Sequence, residues 1–253
     1  MKYAIYNVFH SKLYEDQYAG EEDCYLYAKV GDQPEQISSD KIRNRVVQAK
    51  TLPGFVAMGS RWTESEFIFA LYRTMKMDDQ YLGDIDYIGF SQYDHTTKCR
   101  NRNISLASYM NDSYNLIGDN SVLSLASFSM HWEISQHCIA MDVNEPGKQR
   151  GYPICYTQMV DDYNEFYGKD LAVEDMLMSP TISLCSSFVM SKKNFMDMMS
   201  YATWAAERNN LDQFDPHRRY RAQGGFMERY YGAWIALSGK KLIEFPIEQL
   251  QRV

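Results

Sequence analysis

The sequence predicts an α/β fold with a central, mostly parallel twisted sheet flanked by helices. Short apolar runs of strand length alternate with segments of helical periodicity over most of the 253 residues. That alternation is typical of parallel strands joined by helical crossovers. The sequence contains no internal repeat, low-complexity tract or linker. We therefore expect one domain over residues 1–253, long enough to bury its own core.

Apolar patterning places the elements of the first half. Strands are expected at 4–9, 24–30 and 86–91. Residues 31–50 carry no clear period, which predicts an irregular excursion. Thr63 and Glu66 have the spacing of a capping box, in which the two side chains satisfy free backbone amides. Apolar residues follow at helical spacing, so the sequence predicts a helix over 64–77.

The second half continues the alternation. Strands are expected at 121–128, 181–190 and 241–247, with Pro246 indicating a sheet edge for the last of them. Helices are expected up to Gly168, over 192–208, and from Gly224 to a C-cap at Gly239.

Composition excludes several classes of protein. The chain has 26 Lys and Arg against 33 Asp and Glu, a net charge of −7 without a basic stripe, which disfavours nucleic-acid binding. Its five cysteines include no Cys-x-x-Cys pair, which argues against a disulfide framework or zinc knuckle and favours a cytoplasmic protein. The apolar start is too short for a signal peptide, and no run reaches the roughly 18 residues of a membrane span.

The commonest α/β enzyme motifs are also missing. The sequence has no Gly-x-Gly-x-x-Gly after its first strand and no Walker A motif, which disfavours a Rossmann dehydrogenase or a P-loop enzyme. It has no Gly-x-Ser-x-Gly elbow and no His-Glu-x-x-His.

The end of the strand at 86–91 is the most informative spot. Ligands of open α/β sheets bind beyond the carboxyl ends of the strands, and Gln92, Tyr93, Asp94 and His95 stand there. A hard divalent cation prefers carboxylate oxygens and bridges readily to a diphosphate. Asp94, with His95, is therefore the predicted metal site. The alternative is that Asp94 begins a turn or caps a helix. Asp78-Asp79, in a turn that ends a helix, is the second choice for a metal.

Two motif regions resemble a family of glycosyltransferases from capsule and exopolysaccharide clusters. That family has an early Glu in a helix and then a strand ending Gly-x-x-His-Tyr-Arg-Arg; Glu66, Gly89 and Tyr93 match it. Gln92 replaces the family His, and Asp94-His95 replace the two Arg, which reverses the local charge and makes a metal more plausible. Gly225-Phe226-Met227-Glu228-Arg229 resembles the family's Gly-Phe-x-x-Glu-Arg, one residue short. The match spans roughly residues 60–240.

The resemblance implies a GT-A fold and a nucleoside-diphosphate sugar donor. It implies a nucleotide-binding half over 1–100 and an acceptor half over 101–253. Enzymes of this type hold Mn²⁺ or Mg²⁺ with acids after a buried strand, and cradle the base and ribose after the first strand. The predicted donor-binding residues are Asn7, His10, Lys12, Gln92, Tyr93 and Arg229.

Glu228 is the predicted general base, which takes a proton from the acceptor hydroxyl. The alternative places Glu228 in the first turn of the final helix, where the helix dipole favours an anion. Other candidates have simpler explanations: solvated surface for Asp161-Asp162 and for the arginines at 218, 219 and 221, and ordinary packing or exposure for His131 and His137.

The sequence therefore predicts a metal-dependent glycosyltransferase acting on a glycan or polysaccharide hydroxyl. One alternative is a non-catalytic carbohydrate- or nucleotide-sugar-binding protein, which the missing second acid beside Asp94 would allow. Another is an α/β hydrolase that uses paired carboxylates.

Overall fold

The computed structural model describes residues 2–13, 25–37, 40–93, 109, 117–134, 154–211 and 222–245. The strands in these segments are β1 (Tyr3–Phe9), β2 (Tyr25–Lys29), β3 (Val46–Gln48), β4 (Tyr87–Gln92), β5 (Ser121–Ser124), β6 (Ser127–Ser129), β7 (Thr181–Ser183), β8 (Phe188–Ser191) and β9 (Lys241–Glu244). The helices are α1 (Asp40–Arg43), α2 (Ser65–Met77), α3 (Met130–Trp132), α4 (Ile154–Tyr167), α5 (Val173–Leu177), α6 (Lys192–Arg208) and α7 (Ala222–Leu237), with a 3₁₀ turn at Ala49–Thr51.

The central sheet has seven strands in the order β3-β2-β1-β4-β8-β5-β9. β8 runs antiparallel to both of its neighbours, and the other neighbouring strands are parallel. A small antiparallel sheet of β6 and β7 stands beside it. These observations confirm the predicted α/β fold with a mostly parallel central sheet.

Helices cover the sheet because its inner strands are apolar on both faces, as parallel strands usually are. Along β1, Ala4, Tyr6 and Val8 belong to one buried cluster and Ile5 and Phe9 to another on the opposite face. The first cluster packs against α2, α6 and α7 through aromatic side chains. Its centre is Phe90 of β4, whose ring lies 5.6 Å from both Phe188 and Phe195. This packing fixes the helices against the strand ends that carry the site.

The helix predicted over 192–208 has those bounds, and a periodic apolar face explains the agreement. The run 181–190 is instead two strands of different sheets, β7 and β8, separated by a turn at 184–187. The run 121–128 likewise contains β5 and most of β6. The irregular stretch 31–50 includes α1 and β3.

The predicted capping box is wrong. α2 begins at Ser65 with Glu64 at the N-cap position, and no side chain caps it. Glu66 instead accepts hydrogen bonds from the backbone amides of Gly31 and Met58, each at 3.2 Å. Its carboxylate therefore ties two loops to the helix.

The final helix begins earlier than expected. α7 starts at Ala222, so Glu228 lies in its second turn and not in its first. The interaction of an anion with the helix dipole falls off beyond the first turn, which weakens the capping explanation for this residue. None of the helices in the described segments is long and apolar enough to cross a bilayer.

Candidate functional site

The candidate site lies at the carboxyl ends of β1, β2 and β4. β1 pairs with β2 on one side and with β4 on the other, so the strand order changes direction at β1. The amide of Val30 bonds to the Phe9 carbonyl, and that of Tyr93 to the Val8 carbonyl, which aligns the three strand ends. Ligands of open α/β sheets bind at such switch points.

Several of the predicted donor-binding residues meet at this edge. His10 directly follows β1, Gln92 ends β4, and Tyr93 follows it; all three are half-buried. Lys12 is exposed, and its backbone forms an isolated parallel β-bridge with that of Gln36. This β-bridge joins the loops that follow β1 and β2. Their placement fits a ligand at the switch point, and their contact with a donor stays a prediction.

Asn7 was expected after the first strand, and that placement is wrong. It lies inside β1 and is 1% exposed. Its side-chain amide donates to Ser91 Oγ at 3.1 Å and to the Gln92 carbonyl at 2.8 Å. Asn7 therefore holds the end of β4 against β1, and in this arrangement it acts on Gln92 through the backbone.

Asp94 and His95 lie outside the described residues, so the predicted metal site stays a prediction. In sequence they directly follow Tyr93, the last described residue of that segment. Across the part of the chain that the structure describes, no group of three or more His, Cys, Asp and Glu side chains is arranged to hold a metal ion.

Sequence reasoning missed Glu64, a buried carboxylate at the same edge. It is 4% exposed, and its Oε1 lies 3.7 Å from Nε2 of His10. The sequence signal was present, because Glu64 stands just before an apolar helix. The capping-box interpretation assigned that stretch to Thr63 and Glu66 and left Glu64 without a role.

The predicted base, Glu228, is held by a turn between two strands. Its Oε1 accepts a hydrogen bond of 2.5 Å from the backbone amide of Cys185. Cys185 and Ser186 have φ angles of 59° and 44°, in the left-handed region that residues with a Cβ rarely occupy. The amide of Ser187 closes the turn by bonding to the Leu184 carbonyl at 3.2 Å.

Backbone strain gathers around the start of α7. Among the described residues, the non-glycine residues with positive φ are Cys185, Ser186 and Thr63, the last at 51°. Gly224 packs so closely on Thr63 that an added Cβ would lie 2.2 Å from Thr63 Oγ1. Strained residues persist where the surrounding structure forces them, and they cluster at functional sites. The strain therefore makes the surroundings of α7 a candidate functional region.

Tyr231 is a buried tyrosine of α7 that contacts the start of α2. Its buried hydroxyl lies 3.2 Å from Ser65 Oγ. Burial raises the pKa of the Tyr231 phenol, and the negative charges of Glu64 and Glu228 raise it further. The hydrogen bond with Ser65 opposes this rise in the pKa.

Arg229, predicted to bind the donor, lies in the core. It is fully buried, and its Nε donates to Glu133 Oε1 at 2.7 Å while its Nη1 donates to the Gly225 carbonyl at 2.9 Å. The Tyr156 hydroxyl donates to the same Glu133 oxygen at 2.7 Å. These contacts favour a structural role that anchors the helix turn carrying Glu228. A contact between Arg229 and a donor stays a prediction.

The remaining acidic candidates lie elsewhere. Asp78 and Asp79 are exposed just after α2, and Asp78 Oδ1 accepts the Gln80 amide in a turn. Asp161 is exposed as predicted, but Asp162 is 2% exposed and not on a solvated face. His131 is exposed. His137 and the arginines at 218, 219 and 221 are outside the described residues.

Comparisons with known proteins support the fold. The chain is similar to the apo structure of WbbM, a bifunctional glycosyltransferase, with a TM-score of 0.51 and 13% sequence identity. The similarity covers 98% of this chain and 45% of that one, so this chain spans less than half the length of the protein that it resembles. No protein-family profile matches the sequence, and no curated protein matches it. The α/β architecture is therefore one that a glycosyltransferase also has.

Proposed function

We propose that this protein is a glycosyltransferase of GT-A type, which moves a sugar from a nucleoside-diphosphate donor to a hydroxyl of a glycan. The observation that carries the proposal is the similarity of fold to WbbM over nearly the whole chain. The switch-point site, with its paired polar strand ends and local strain, agrees with that function. The cysteine pattern supports activity in a reducing compartment such as the cytoplasm.

The donor is proposed to bind at the carboxyl ends of β1 and β4. His10, Gln92 and Tyr93 stand at that edge, with Lys12 on the loop beyond it. Imidazole, amide, phenol and ammonium groups supply hydrogen bonds and positive charge for a nucleotide diphosphate. Strand β4 leads directly into Asp94 and His95, the proposed ligands of Mn²⁺ or Mg²⁺. Such an ion would neutralise charge on the departing diphosphate.

Glu228 is proposed as the general base of an inverting reaction. An inverting transfer needs a carboxylate on the side of the sugar opposite the diphosphate, because the acceptor oxygen attacks in line. Glu228 lies on α7 and touches the turn at Cys185, both in the acceptor half, and it is half-buried. The backbone amide of Cys185 fixes one oxygen of the Glu228 carboxylate and so restricts the orientation of the side chain.

The proposal is tested by incubating the protein with uridine, guanosine, adenosine and thymidine diphosphate sugars, with and without Mn²⁺. We expect the release of one nucleoside diphosphate and a thermal shift with the same nucleotide. The absence of any thermal shift with all four diphosphates, with and without metal, would rule out a nucleotide-sugar enzyme.

One observation favours a second candidate, a non-catalytic protein that binds carbohydrates or nucleotide sugars. Gln92 stands where a second acid would complete an acidic motif. Binding of a nucleoside diphosphate without turnover of any sugar donor, in the presence of Mn²⁺ and a glycan panel, would support that candidate.

A further inference from the structure

Glu64 is a buried carboxylate that the proposed reaction leaves without a role. Removing a carboxylate from water is costly unless a cation or hydrogen-bond donors face it. The structure sets the His10 imidazole against it, with 3.7 Å between Nε2 and Oε1. Glu64 is 4% exposed and the His10 side chain 27% exposed, so the pair runs from the core to the surface of the site.

Glu64 stands at an N-cap position without capping the helix. It occupies the N-cap position of α2, but its side chain caps no amide of the helix. Thr63, just before it, has a φ of 51°, and Gly224 of α7 packs directly against that residue. Strain of this kind persists only when the surrounding fold imposes it. The fold thus fixes the backbone just before Glu64.

This arrangement orients the imidazole. Nε2 of His10 is buried beside Glu64, while 27% of the His10 side chain is exposed, so the exposed part lies away from Nε2. A carboxylate beside one ring nitrogen holds the proton there and fixes the ring orientation. The distance of 3.7 Å is longer than a hydrogen bond, and contacts of this kind often tighten when a ligand binds.

We infer that Glu64 is a positioning residue, which holds Nε2 of His10 so that the exposed part of the imidazole contacts the nucleotide of the donor. The inference rests on the proposed function, because it needs a nucleotide at the end of β1. Glu64 itself does not touch the donor. Its effect on the donor passes through His10, which makes the two residues energetically coupled in nucleotide binding.

A double-mutant cycle tests the coupling. Uridine, guanosine, adenosine and thymidine diphosphates are titrated with Mn²⁺ against the wild type, His10→Gln, Glu64→Gln and the double variant, by calorimetry. We expect each single variant to weaken the tightest nucleotide by about tenfold, the size of one hydrogen bond to a charged group. The double variant should bind no more weakly than either single variant.

Glu66→Gln is the matched control, because it removes a buried carboxylate of the same helix that contacts backbone amides and not His10. The loss of nucleotide affinity in a Glu66→Gln/His10→Gln double variant should equal the product of the losses in the two single variants, as for independent residues. Glu64→Asp keeps the charge on a shorter chain and should fall between the wild type and Glu64→Gln, so it serves if the latter folds poorly.

Two results overturn the inference and leave the proposed function intact. One is a Glu64→Gln variant that binds nucleotide with wild-type affinity. The other is a double variant whose loss of affinity equals the product of the losses in the two single variants. A wild-type protein that binds none of the four nucleotides overturns the proposed function, and the role of Glu64 with it.

Discussion

The carboxylate of Glu228 is bound to the backbone amide of Cys185, 43 residues away in the sequence, at 2.5 Å. This contact joins the second turn of α7 to a strained turn between β7 and β8. It holds one oxygen of the carboxylate by a charge-assisted hydrogen bond, of the kind that is short and strong. The contact therefore restricts the orientation of the Glu228 carboxylate.

Replacing Glu228 by Gln should abolish the base and spare donor binding. We expect turnover to fall by at least about a hundredfold, the usual contribution of a general base, with little change in nucleotide affinity. Glu174→Gln, at an exposed acid on α5, is the control and should keep wild-type turnover. Near-normal turnover in Glu228→Gln with a lowered melting temperature would assign the residue to structure alone.

The turn at Cys185 and Ser186 should become more stable with glycine. A left-handed conformation costs an L-residue about 1–2 kcal/mol, whereas glycine adopts it freely but loses roughly 0.5–1 kcal/mol of chain entropy. Ser186→Gly should therefore raise the unfolding free energy by up to about 1 kcal/mol, and the melting temperature by about 2–4 °C. Ser186→Val should lower it, because β-branched residues strongly disfavour this region. A stabilised Ser186→Val would show that the turn is not strained in solution.

Gly224 should tolerate no side chain. A Cβ there would meet Thr63 Oγ1 at 2.2 Å and the Trp62 carbonyl at 2.9 Å. The Trp62 atom is a backbone carbonyl oxygen, which cannot rotate away as the end of a side chain can. We therefore expect Gly224→Ala to cost roughly 1–3 kcal/mol of stability, the range for overpacking. Gly118→Ala is the control, since a Cβ there has nothing within 4 Å. Denaturant unfolding of both variants checks the difference, and equal stabilities would contradict the packing.

The sequence was enough to predict the elements whose apolar period matches their packing, such as α6 over 192–208. It was not enough where one apolar run contains strands of two different sheets. Residues 181–190 are continuously strand-like, and the turn within them carries no Gly, Asn or Pro. Only the pairing of β7 with β6 and of β8 with β4 and β5 forces Cys185 and Ser186 into positive φ.

The candidate site was predictable in part for a similar reason. His10, Gln92 and Tyr93 could be placed because each follows an apolar strand, and parallel strands share an edge. The burial of Glu64, Asp162 and Arg229 depends on partners distant in sequence. Arg229, for example, forms an ion pair with Glu133, and no local sequence pattern predicts that contact.

The buried ion pair of Glu133 and Arg229 should be costly to break on one side. Both side chains are at most 1% exposed, so removing one leaves an unpaired buried charge, at a cost of about 3–5 kcal/mol. We expect this loss for Arg229→Met. The double variant Glu133→Leu/Arg229→Met should be more stable than Arg229→Met, because no charge remains buried. Chemical denaturation measures all three proteins, and a double variant less stable than the single one would contradict this explanation.

The same variants separate the two roles of Arg229. If the residue anchors the turn and does not touch the donor, the double variant should bind nucleoside diphosphates with affinity close to that of the wild type. A loss of about tenfold or more, in a protein that remains folded, would restore the predicted contact with the donor.

Asp162 should make stability depend on pH in the direction opposite to that of a salt-bridged acid, whose folded pKa is lowered. Burial raises the pKa of its carboxyl above the usual 3.8, against the opposing effect of hydrogen bonds from Tyr230, Gln158 and Asn209. Because the folded pKa is the higher one, folding favours the protonated form. The contribution of Asp162 to stability is therefore fully present below pH 3.8 and is lost as pH rises through the raised value.

Asp162→Asn removes this titration, and Asp161→Asn, at an exposed neighbour, does not. The unfolding free energy of the wild type minus that of Asp162→Asn should fall as pH rises from below 3.8 toward neutrality. The Asp161→Asn variant keeps the Asp162 carboxyl, so its unfolding free energy minus that of Asp162→Asn should show the same fall. Denaturant titrations at several pH values across this window provide the measurement. A difference that rises with pH for Asp162→Asn would mean that the hydrogen bonds from Tyr230 and Asn209 outweigh burial and hold the carboxyl ionised.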